Sequence, residues 1–136
     1  MYVGRMDEPV TARGAAEQAA EATRTLNHLT LAPPAERTPG WEDLADVYAI
    51  VGQLRLLVER LPQALDQLAR ALEDAAVVYG TDDGTDPTEV ALTASIELFA
   101  GRGPATELNR SLQQAHNALS HLYVERHLVV GDEVAE

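Results

Sequence analysis

His28, His116, His121 and His127 are the residues of this chain that titrate near neutrality without help, so a general base or a nitrogen-ligated metal would have to use them. His121 and Glu125 stand four apart, the spacing that puts two ligands on one helical face. No second pair of matching type follows, and the Glu-x-x-His motif of carboxylate-bridged dimetal bundles is absent. A solvated His and Glu contact, contributing roughly 0.3 kcal/mol, is the reading we adopt. Asp82, Asp83 and Asp86 resemble half of a calcium loop, but Tyr79 and Thr81 occupy the positions five and three before Gly84 where the loop needs acidic or amide side chains. Gly101, Arg102, Gly103 and Pro104 lack the preceding strand and the Gly-Lys-Thr/Ser ending of a phosphate-binding loop, so they read as a helix break. Ser95, Ser111 and Ser120 sit in no nucleophile-elbow context. We assign no catalytic, cofactor-binding or metal-binding residue, expect no cofactor, and read the chain as non-enzymatic.

Composition narrows the remaining classes. The formal charge of -12 repels nucleic-acid phosphates and anionic membrane surfaces at long range, so neither direct nucleic-acid binding nor a membrane partner is expected. All ten positive charges are arginine. Without cysteine the chain has no disulfide framework, thiolate zinc site or thiol redox chemistry, which fits a cytoplasmic protein. No segment approaches the roughly 20 apolar residues of a spanning helix, and Met1 to Val10 lack the apolar centre of a signal peptide. Met6 is an alternative start. The hydrophobic fraction, 46%, is mostly Ala, Leu and Val, with 4% aromatics. These residues favour helices over sheet, and the fold class expected is all-α.

The elements that would position any site follow from the apolar spacing. Leu44, Val47, Val51, Leu54, Val58, Leu61, Leu65, Leu68, Leu72, Ala75 and Tyr79 recur at alternating steps of three and four, the pattern of a heptad seam. With Leu44 at position a, Ile50, Leu57, Ala64, Ala71 and Val78 fall at g, while Leu56 and Val77 fall at f. The apolar face is wider than a two-stranded coil needs. Ala91, Ala94, Leu98, Gly101, Ala105, Leu108, Leu112, Ala115, Leu119 and Leu122 form a second seam. Leu92, Ile96 and Phe99 add a further stripe that predicts burial of that half.

The expected order is a first helix over about 8–30, capped by Asp7 or Thr11, then a proline-rich linker at 31–40. A second helix over about 41–79, capped by Thr38, is kinked at Pro62. A turn at 80–86 leads to a third helix over about 87–126, which starts at Asp86, Pro87 and Glu89 and breaks near 101–104. Residues 127–136 form a tail, and 1–136 is expected to be one domain. The first helix offers Ala15, Ala19, Ala22, Leu26 and Leu29 as its inward stripe, and Trp41 is expected to plug one end of the core.

Pro62 and Pro104 lie 21 residues either side of Asp83. They would stand at one height in an antiparallel pair, which predicts a long helical hairpin with bent arms, roughly 55 Å each, and the first helix along one half. The alternative is that both arms break fully and fold over. Such a layer leaves apolar surface open, and completion by oligomerisation is expected.

The blocks AAEQAAEATRTLNHLTL (Ala15 to Leu31) and DVYAIVGQLRLLVERLPQALDQLARAL (Asp46 to Leu72) resemble small helical proteins of Streptomyces-like actinobacteria, often encoded among mobile-element genes. The resemblance implies an accessory role in such an element and carries over no functional residue. The function expected is that of an interaction or scaffold protein acting through an apolar helical face, with Ile50, Leu56, Leu57, Val77 and Val78 as candidate interface. Its expected partners are a second copy of itself and, beside that, another protein. An acidic mimic of nucleic acid that binds a protein partner is one alternative, and a histidine-based metal or cofactor bundle is the other.

Overall fold

The computed structural model describes residues 9–75 and 79–122. These form four helical segments: α1 (Ala12–Leu29), α2 (Leu44–Ala75), α3 (Pro87–Ala100) and α4 (Arg102–Leu119), with no strand among the described residues. The fold is all-helical. Instead of the one domain expected from length, two compact units are found, the first ending at Asp46 and the second beginning at Val47.

In the first unit, α1 opens on Thr11, whose hydroxyl accepts the Gly14 N–H at 2.9 Å and so satisfies one of the unpaired donors of the first turn. No residue of α1 is buried. Of its expected inward stripe only Leu26 is half-buried. The proline-rich linker is ordered by two successive turns: the Thr38 N–H donates to Ala35 O, and the Trp41 N–H to Thr38 O. Each places a residue with positive φ at its third position, Arg37 (69°) and Gly40 (77°). Trp41 is therefore a brace for this loop, where a core plug was expected. Its indole Nε1 donates to Ala32 O at 2.7 Å and its carbonyl accepts the Ala35 N–H.

The start of α2 also differs from expectation. It begins at Leu44 rather than 41, because Asp43 takes the cap in place of Thr38 and accepts the Ala45 N–H at 2.9 Å. Asp46 reaches back to the Glu42 N–H at 2.8 Å. In the second unit Pro62 lies inside an uninterrupted α2. The fold-over alternative is thus excluded for this arm. The proline lacks the donor that Val58 O would use, an omission that costs about 3 kcal/mol in a regular helix.

Asp86 caps α3 by accepting the Thr88 N–H at 3.0 Å, with Pro87 at the first helical position. The break between α3 and α4 is confined to Gly101, which keeps right-handed helical angles. The Gly101 N–H still donates to Glu97 O, and the Ala105 N–H to Gly101 O. The two segments thus read as one bent helix. Pro104 falls in the first turn of α4, where few backbone donors have a partner to lose.

Contacts between α2 and the α3–α4 arm run in opposite chain directions. Tyr48 and Gly52 meet His116, Leu65 and Asp66 meet Gly101 and Arg102, and Glu73 meets Ser95. The midpoints of these pairs fall at residues 82 to 84, on the turn. An antiparallel hairpin with Pro62 and Pro104 near one level is the result.

Candidate functional site

Small side chains make the closest approach inside the hairpin. Among the described residues Val58, Ala69, Ala91 and Ala105 are the buried apolar ones, and fully buried Ser95 donates its hydroxyl to Glu73 Oε1 at 3.2 Å. An added Cβ on Gly101 would stand 3.3 Å from Leu65 Cδ1, and one on Gly52 would stand 3.0 Å from His116 Nε2. At the open end the His116 ring stacks on Tyr48 with centroids 4.1 Å apart, which gives this histidine a packing role. Midway along, Asp66 accepts from Arg70 at 3.2 Å and lies 4.0 Å from Arg102, whose guanidinium also covers the Phe99 ring.

This inner line corrects the sequence seam. The seam holds through Val47, Val51, Leu54 and Val58, but beyond Val58 it expected Leu61 and Leu68 inside, where the half-buried and buried positions are Pro62, Leu65, Asp66, Ala69 and Leu72. On the other arm Asn109 and His116 turn inward where Leu108 and Ala115 were expected, and Asn109 Oδ1 is buried without a hydrogen-bond partner. The reason is geometric. A seam of alternating threes and fours repeats every 3.5 residues, whereas a straight helix turns every 3.6, so the buried face slides by about 20° per heptad.

The slide leaves a row of large apolar side chains outside. Leu57 and Leu61 are 38% exposed and Leu68 is 56% exposed, with exposed Ala64 and Ala71 between and beyond them. These five residues occupy columns d and g of α2 and form one continuous stripe. On α3, Leu92 and Ile96 are exposed as well, against the expected burial of that stripe, of which Phe99 alone is half-buried.

Of the candidate interface residues, Leu57 lies on the outer stripe, while Ile50 and Leu56 are half-buried. Val77 and Val78 lie outside the described residues, as do Glu125 and His127. Leu61 and Leu68 were not expected on the outer surface because the ideal heptad assigned them to the core. The helical period of 3.6, applied from Val58 onward, would have moved them out.

Among the described residues no group of three or more His, Asp or Glu could hold a metal ion. No helix among them is long and apolar enough to cross a membrane. One apolar cavity of about 190 Å³ lies at the turn end, lined by Leu72, Tyr79, Pro87 and Val90 among others. Its one hydroxyl-bearing aliphatic residue, Thr81, already donates to Thr85 O. At the adjacent turn the Thr85 N–H donates to Asp83 Oδ1 at 3.0 Å and holds that carboxyl below its ordinary value.

No protein-family model matches the chain, and neither a curated protein nor a solved structure is similar enough to match.

Proposed function

We propose that this chain is a non-enzymatic helical interaction protein that acts by associating with itself through the outer stripe of α2. The observation that carries this reading is the exposure of Leu57, Leu61 and Leu68 in one line, with alanines between and beyond the leucines. Isolated surface leucines are ordinary, but a contiguous apolar stripe along a helix commonly marks an interface. Leu92 and Ile96 on the second arm enlarge the apolar surface available to a partner. An enzymatic reading would need polar groups converging on a cavity, and the cavity at the turn end is lined almost wholly by apolar side chains. The resemblance to small actinobacterial proteins suggests a cellular setting, an accessory role within a mobile element.

Light scattering coupled to size-exclusion chromatography tests the proposal. Dimers or larger species should form at micromolar concentration. A strict monomer at high micromolar concentration, without binding of a hydrophobic dye, would sink it.

A further inference from the structure

We infer that α2 pairs with α2 of a second copy in an antiparallel, two-fold symmetric arrangement whose axis passes at the height of Asp66. This rests on the self-association reading above and specifies its geometry. After Leu57 the stripe alternates large and small: Leu61, Ala64, Leu68 and Ala71. A parallel pair would set leucine on leucine and alanine on alanine in successive layers, so the two helices could not hold one spacing. An antiparallel pair places leucine against alanine, which lets the axes approach closely and evenly.

Three antiparallel registers align the columns along this stretch, and charge selects among them. With the axis at the height of Glu59, Leu57 meets Leu61 and Arg60 faces Arg60 of the second copy. Moved half a heptad toward the turn, Leu57 meets Leu68 and Arg60 faces Gln67. With the axis at Asp66, Leu61 meets Ala71 and Ala64 meets Leu68. In that register Arg60 faces Asp74 of the second copy twice over, and Gln67 faces Gln67 across the axis. Arg60, Gln67 and Asp74 occupy the column that flanks the stripe, and all three are exposed. Neither Arg60 nor Asp74 makes an ion pair among the described residues, whereas Arg70 and Arg102 already share Asp66. Only the third register gives leucine against alanine in every layer together with opposite charges on the flank.

The chain contains no cysteine, so single-cysteine variants report the register cleanly. Under mild oxidation Gln67→Cys should form a disulfide dimer readily, and Arg60→Cys should do so at least about tenfold more slowly. Arg60→Glu should weaken dimerisation about tenfold, and adding Asp74→Arg should restore it to within about threefold. Dimers seen by light scattering that cross-link through Arg60→Cys in preference to Gln67→Cys would overturn this register while leaving self-association standing. A strict monomer would remove both.

Discussion

Ala69 and Leu68 are chain neighbours on α2 with opposite fates: Ala69 is 0% exposed and Leu68 is 56% exposed. The same inversion recurs along the hairpin, where Ala91, Ser95 and Ala105 are buried while Leu92, Ile96 and Leu108 are exposed. The inner face is built for close approach and the outer face for area. Small side chains let two helices come near, but each removes little apolar surface from water, at about 25 cal/mol per Å². The hairpin thus fixes its own geometry with residues that contribute modestly to stability. Several large apolar side chains, Leu68, Leu92, Ile96 and Leu108 among them, are left exposed.

Substitutions can break this contrast directly. Ala69→Leu should destabilise the fold by about 3 kcal/mol, because no space remains beside a fully buried alanine in the close approach of the arms. Leu68→Ala, one residue away, should cost the monomer less than about 1 kcal/mol and should weaken assembly instead. Urea unfolding and light scattering on both variants separate the two effects. Equal losses of stability would erase the distinction between the faces.

A smaller effect is expected at Gly52. Alanine there gains about 1 kcal/mol of helix propensity but brings its Cβ to 3.0 Å from the His116 ring, which Tyr48 holds by stacking. Gly52→Ala should therefore be neutral or destabilising in the native chain and stabilising by about 1 kcal/mol in a His116→Ala background. A thermal-melt double-mutant cycle would show the coupling, and additive effects would mean that the ring is not confined.

The smallest expected effect sits at the turn. The Thr85 N–H holds the Asp83 carboxyl below its ordinary value of 3.8, so its contribution is complete above that value and is lost as pH falls through the lower, folded-state value. An NMR titration of Asp83 should give a midpoint under 3.8, and Asp83→Asn should remove the step. A midpoint at or above that ordinary value would place the carboxyl free in solvent.

Part of the candidate site was legible beforehand. Leu57 was expected on the interface and is exposed, whereas Leu56, expected to face outward from position f, is half-buried. Leu61 and Leu68 were misplaced because heptad counting treats 3.5 residues per turn as fixed. Ala64 and Ala71, expected only to widen the apolar face from position g, are exposed beside the leucines.

Sequence alone determined the helical class, the turn around Asp83 and the shared level of Pro62 and Pro104, since these follow from spacing and from residues that stop or start helices. Tertiary structure decided which side of each helix is inside. A helix with apolar residues around much of its girth can be buried along several neighbouring columns. The close approach of the two arms puts Ala69, Ala91, Ser95 and Ala105 inside, where small side chains let the backbones come near, and Val58, Leu65 and Leu72 fill the space beside them.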